Sequence, residues 1–298
     1  MKRNAYRLGL IPCMCVAACT TTPKVAPGTD AHAEHTASTT VTAADTSSAL
    51  PPDAAGAAAR LSSSPRHGEW VMIHSGDGDS LHTWVVYPQR STNAPVVVVV
   101  HEIFGLSTWV RAVADQLAAD GFIAIAPDLL TMKNLPTGPD TLVARVATDS
   151  IRTLDPAWIQ KQLDAVARYG MSLPAAQKKY GIVGFCWGGG VSFAHAVHSA
   201  DLGAAVVYYG VSPKTGDLGS VRAPVLGLYA GNDARVDATI PAADTALHAL
   251  GRTYTYTIYS GAGHGFLRQQ TAMNGANMTA ASAAWLATIS WFRKYLGS

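Results

Sequence analysis

Val96 to Val100 are five valines in a row, and this run limits the possible folds of the chain more than any other feature. Successive side chains of a strand point to opposite faces, so such a run needs an apolar layer on each side. The flanking segments can supply both layers. Trp70–His74 and Leu81–Tyr87 enclose Gly76-Asp77-Gly78-Asp79 and predict a hairpin. Downstream, helices are expected at 108–120, 156–169, 188–198 and 241–250. Strands are expected at 122–126, 180–185, 204–209, 225–230 and 254–259. Pro and Gly interrupt the stretch from Leu130 to Pro139, and the part up to Asp155 is less regular. A last helix carries Trp285, Ile289, Phe292 and Leu296 at helical spacing, as core packing. A hairpin followed by repeated strand–helix units predicts an α/β fold with a mostly parallel central sheet and helices on both faces. Ligands of such sheets bind at the carboxyl ends of the strands.

The first 66 residues have another character. Lys2, Arg3 and Arg7 precede an apolar stretch, Leu8 to Ala18, that is too short to span a bilayer. It ends in Val16-Ala17-Ala18-Cys19, which resembles the cleavage site of bacterial lipoproteins; Cys19 would then carry the lipid that anchors the chain to a membrane surface. Thr20 stands where an Asp would favour the inner membrane, so the expectation is a periplasm-facing envelope protein held at the outer membrane. An ordinary secretory signal is the alternative. From Thr20 to Arg66, Ala, Thr, Ser and Pro dominate, and no aromatic residue occurs between Tyr6 and Trp70. Such a segment buries too little apolar surface to offset its ordering entropy. The expected organisation is a signal at 1–19, a disordered tether at 20–66 and a folded domain at 67–298. His32 and His35 fall in the tether and are expected to be solvated.

A formal charge of +2, much of it from the amino-terminal cations, leaves the domain near neutrality and excludes a nucleic-acid partner. Three of the four cysteines, Cys13, Cys15 and Cys19, crowd the amino terminus, so neither a disulfide scaffold nor a cysteine metal cluster can form in the domain. Cys186 is left alone. It lies in Gly184-Phe185-Cys186-Trp187-Gly188, between a strand and a helix, in the small-x-nucleophile-x-small pattern of a nucleophile elbow. The helix N-terminus that follows is expected to lower the thiol pKa. Asp233 follows the strand ending at Ala230, and His264 follows the strand ending at Tyr259. Nucleophile, acid, histidine is the triad order of α/β-hydrolases. His264 would shuttle the proton and Asp233 would orient it, with Asp237 the second-ranked acid. Glu102, after the five valines, can accept the thiol proton. The backbone N–H groups of Ile103 and Trp187 are the expected oxyanion donors.

Together, Glu102-Ile103-Phe104-Gly105, Pro127-Asp128-Leu129, Gly184-Phe185-Cys186-Trp187-Gly188-Gly189, Tyr208-Tyr209-Gly210, Asp233 and His264-Gly265-Phe266 resemble the dienelactone hydrolase family from about Trp70 to Leu296. The resemblance implies the α/β-hydrolase fold, a Cys186–His264–Asp233 triad working through an acyl-enzyme, and activation of the thiol by Glu102. It also implies that Arg268, four residues after the histidine, contacts a substrate carboxylate. A second such arginine is expected between Asp128 and Cys186, with Arg145 and Arg152 both open. The chain departs from the family's prototypes in carrying His101 where they have Gln, and in the stretch 132–155.

Leaving-group chemistry narrows the substrate independently. A thiolate, pKa about 8.5, leaves a tetrahedral adduct more readily than an alkoxide, whose parent pKa is near that of water at roughly 15.7. Enol esters, enol lactones, aryl esters and thioesters fit this chemistry, and ordinary amides do not. A small ester or lactone, with no cofactor and no metal, is the expected reaction partner. An esterase for larger substrates and a non-catalytic thiol-sensing protein are the competing readings. His195 and His198, three apart on one helix, lack acidic or thiol companions in sequence and are expected to be packing or surface residues, as are Tyr254 and Tyr256.

Overall fold

A computed structural model describes residues 49–76, 78–90, 93–133, 135 and 140–297. The signal and Cys19 lie outside the described residues. Eight strands form one sheet in the order β1-β2-β4-β3-β5-β6-β7-β8. The expected hairpin is β1 (Gly68–Gly76) and β2 (Asp79–Val86), and β2 also pairs antiparallel with β4 (Ile123–Pro127). From β4 onward every pairing is parallel, through β3 (Ala94–Val100), β5 (Ala176–Phe185), β6 (Ala204–Tyr208), β7 (Val225–Ala230) and β8 (Tyr254–Tyr259).

The five valines occupy the interior of this sheet, all fully buried. Val97 and Val99 face one layer, with Val113 and Leu117 of α2 (Thr108–Ala119) and Trp285, Ile289 and Phe292 of α8 (Ala276–Leu296). Val96, Val98 and Val100 face the other, with Leu163 and Val166 of α4 (Pro156–Ser172), Phe193 of α5 (Trp187–His198) and Leu247 of α7 (Ile240–Ala249). Burial on both faces therefore explains the absence of polar alternation in the run. Local chemistry sets the helix starts: Asp155 Oδ1 accepts the Ala157 N–H at 2.8 Å, and Pro156 takes the first helical turn.

Two elements arise where irregularity was expected. Helix α3 (Asp140–Ile151) packs Ala147 and Ile151 against Leu130 and Ile103. Helix α1 (Ala57–Ser63) lies inside the stretch expected as a tether. The expected disorder therefore does not extend to Arg66. From Pro51 the chain is tied to the domain: Ala54 N–H donates to the Arg268 carbonyl at 3.0 Å, and Trp109 Nε1 to that of Pro52 at 3.1 Å. Arg66 grips the buried Asp115 with two hydrogen bonds, of 2.9 and 2.6 Å, and Arg60 donates to Gln116 at 2.7 Å. Polar anchors hold this segment where its composition offers little apolar burial. Helix α6 (Ala234–Asp237) is a single turn after β7.

Candidate active site

The carboxyl ends of β3, β5, β6, β7 and β8 converge. Cys186 sits between β5 and α5 with φ 57° and ψ −117°, a backbone that L-residues rarely adopt. The turn closes only because its neighbours lack side chains. A Cβ on Gly184 would collide with the Gly188 carbonyl and Ser192 Oγ, and one on Gly188 with the carbonyls of Val100 and His101. Cys186 N–H donates to the Tyr208 carbonyl at 3.0 Å, so β6 fixes the elbow from the side.

Asp233 follows β7 and His264 follows β8. Asp233 Oδ2 is hydrogen-bonded to His264 Nδ1, which leaves Nε2 outside that pair. Asp237, the second-ranked acid, has an Oδ1 that is buried without a hydrogen-bond partner among the described residues. The histidine loop is pinned by Asn277 of α8, a residue the sequence reading passed over. Its Oδ1 accepts the Gly263 N–H at 2.8 Å, and its Nδ2 donates to the Gln269 carbonyl at 2.8 Å. Its burial, with Thr288, on the inner face of α8 marks it in the structure, and nothing adjacent in the chain signals it.

The electrostatics correct one expectation. The Cys186 thiol is not drawn toward thiolate; it is pushed up to about 11, first by burial and then by the neighbouring Glu102 charge. A hydrogen bond from the Trp187 N–H and the Arg235 charge oppose this, and they lose. Glu102 is itself buried and raised to about 7, because desolvation outweighs the attraction of Arg268. Arg268 Nε lies 3.3 Å from Glu102 Oε2, and its guanidinium stacks over Phe104 with 4.9 Å to the ring centroid. Neither Nε nor Oε2 makes a hydrogen bond among the described residues, so the contact is one of charge alone. At rest, then, Arg268 faces an internal carboxylate rather than standing open. Arg235, two residues past Asp233, is an exposed cation felt by the sulfur that sequence spacing did not single out. Arg145 and Arg152 are both exposed, on and just beyond α3.

Ile103 and Trp187 are half-buried and share one apolar cluster with α3. His101 stacks on Trp187 with centroids 5.6 Å apart. Its Nδ1–H donates to the Glu102 carbonyl at 2.7 Å and its Nε2 accepts the Leu129 N–H at 3.2 Å. Burial lowers its pKa, so this imidazole is a neutral brace between β3 and the turn after β4.

Residues 81–296 match the profile described as the "Dienelactone hydrolase family". The chain belongs to this family. A Salmonella typhi protein named "Putative carboxymethylenebutenolidase" is 31% identical over 259 residues, covering 76% of this chain and 92% of its own. One of the same name from Escherichia coli strain K12 is 32% identical over 241 residues, 74% of this chain and 84% of that one. A crystal structure described as "Putative Dienelactone Hydrolase" from Klebsiella pneumoniae superposes with a TM-score of 0.67 at 28% identity, over 77% of this chain and 99% of that one. In this dienelactone hydrolase family member, His101 and Asn277 are polar braces around the strand ends.

The other histidine pair serves packing. His195 lies between Gln160 Oε1 and the Tyr180 hydroxyl, at 2.7 and 2.9 Å, and His198 pairs with Asp164 at 2.9 Å. Tyr254 donates to or accepts from the Tyr229 hydroxyl at 2.9 Å, and its ring packs on Phe193.

Proposed function

We propose that this protein hydrolyses small activated esters or lactones through an acyl-enzyme on Cys186. The observation that carries the reading is the geometry of the strand ends in a chain of this family: a thiol on a strained elbow, and a buried carboxylate that touches Arg268 without a hydrogen bond. An anionic substrate that engages Arg268 frees Glu102 to take the thiol proton. The thiolate attacks the carbonyl carbon, and the oxyanion is held by the N–H groups of Ile103 and Trp187. The C–O bond breaks as the proton that Glu102 took from the thiol passes, through His264 Nε2, to the leaving oxygen, which returns Glu102 to its carboxylate. Water, deprotonated by His264, then attacks the thioester and releases the acid and the thiol. Asp233 orients the imidazole throughout.

Ala147 and Ile151 of α3, closed onto Ile103 and Leu130, favour small substrates over the bulky ones of a general esterase. A thiol held protonated reacts sluggishly with oxidants, which argues against a sensing role. Intact-mass measurement after exposure to p-nitrophenyl acetate and an enol lactone is the test. An acyl adduct that vanishes in Cys186→Ala supports the reading; equal turnover by wild type and variant would end it. We further propose that Cys19 carries a lipid anchor in the cell envelope, supported by Val16-Ala17-Ala18-Cys19 after Lys2, Arg3 and Arg7. Labelled palmitate should enter the wild type and not Cys19→Ala; label in neither rejects the anchor.

A further inference from the structure

Tyr209 follows β6 and stands level with Cys186 across the sheet, since Phe185 pairs with Tyr208 and Cys186 donates to the Tyr208 carbonyl. Three features set this tyrosine apart. Its backbone has φ 38°, a conformation that a bulky side chain adopts only under constraint. Its ring centroid lies 5.0 Å from that of His264 and 5.1 Å from that of Phe266, which wedges it beside the histidine. Its hydroxyl is buried and has no hydrogen-bond partner among the described residues. A buried orphan donor destabilises the resting protein, and evolution can remove it with Phe at no cost in shape. The groups that face it are Glu102 from the end of β3, Cys186 from the elbow, Tyr208 from β6 and Arg268 from the histidine loop. Burial together with the Glu102 and Cys186 charges holds the phenol far above its ordinary range, so it can serve only as a donor, never as a base.

Resting on the proposed acyl-transfer reading, we propose that the Tyr209 hydroxyl is a further catalytic group, a hydrogen-bond donor held in reserve for the Cys186 thiolate. At rest no hydrogen bond joins this hydroxyl to the sulfur, and a protonated thiol is too weak an acceptor to draw it closer. Transfer of the thiol proton to Glu102 leaves charge on sulfur and a neutral carboxylic acid beside it. The O–H then finds its acceptor, and the stabilisation is realised only in the activated state.

The test compares wild type with Tyr209→Phe, which keeps the ring and deletes the donor. Iodoacetamide alkylation of Cys186 is followed as a function of pH, alongside kcat/KM for an enol lactone. The thiol pKa is expected to rise by roughly one unit, with an about tenfold fall in kcat/KM. A fall in the thiol pKa overturns the proposal, because it means that the hydroxyl served the Glu102 carboxylate and that its loss made Glu102 the stronger base. An unchanged pKa also overturns it, marking the hydroxyl as a bystander. The acyl-enzyme reading is judged separately, by whether wild type acquires an adduct at Cys186. An adduct in wild type with no change in Tyr209→Phe defeats this inference alone.

Discussion

The two ends of helix α5 bury polar side chains in opposite ways. Toward its carboxyl end, His195 Nδ1–H donates to Gln160 Oε1, Tyr180 O–H donates to His195 Nε2, and the Tyr180 oxygen accepts from Ser199, the last two at 2.9 Å. Every atom in that chain has a partner, and burial lowers the His195 pKa to about 4, so the cluster is neutral. At the amino end, Cys186 is strained, Glu102 Oε2 and Arg268 Nε touch without a hydrogen bond, and the Tyr209 hydroxyl has none among the described residues. Burial of polar groups is common to both ends. Satisfaction separates them: a complete network locks a core, and an incomplete one is held for something that arrives later.

The comparison is broken most directly at Cys186, the proposed nucleophile. Cys186→Ala is expected to cut turnover of an enol lactone at least about a thousandfold while leaving thermal stability nearly unchanged. His195→Phe, at the other end of the same helix, is expected to do the reverse, lowering Tm with kcat retained. Activity assays and melting curves on both variants decide it. If His195→Phe abolishes kcat at full stability, the division between the two ends is wrong.

Next in size is the carboxylate. The folded Glu102 pKa, about 7, lies above its ordinary 4.5, so the folded state holds the proton more tightly than the unfolded one. Below pH 4.5 both states are protonated and the burial costs nothing. As pH rises through 7 the unfolded state has already ionised and the folded state must follow at a penalty, so stability falls. The full shift corresponds to about 3 kcal/mol. Glu102→Gln should therefore be more stable than wild type at pH 8, with the gap closing toward pH 4.5, and should lose activity. Denaturant melts at three pH values measure this. A gap independent of pH would mean that Glu102 is not the strained acid described.

How far the sequence revealed this contrast follows from range. The elbow glycines and the five valines are local patterns with one geometric meaning each, and both could be read before folding; the Asp233–His264 hydrogen bond also falls at the strand ends where those residues were expected. Thiol protonation could not, because the helix N-terminus beside Cys186 is local while burial and Glu102 are contributed by the assembled sheet. The same limit hid α1. Its Ala-rich segment lacks an amphipathic stripe and is held by Asp115 and Gln116, residues about fifty positions away. Asn277 and Arg235 were missed because each is defined by what faces it across the strand ends and not by its neighbours in the chain.

The finest test makes one chemical change at both ends. Tyr180→Phe removes a hydroxyl with two partners and leaves His195 Nε2 buried as an acceptor with no donor, which should cost about 1–3 kcal/mol. Tyr209→Phe removes a hydroxyl with no partner among the described residues, relieves its desolvation, and should raise stability by about 1 kcal/mol. Chemical denaturation at one pH compares the two. Both rings are almost completely buried, so exposure cannot account for a difference in sign; only the presence or absence of partners can. If both variants are destabilised alike, the Tyr209 hydroxyl is already satisfied in the resting protein, and the incomplete network at the amino end of α5 shrinks to Glu102 and Arg268.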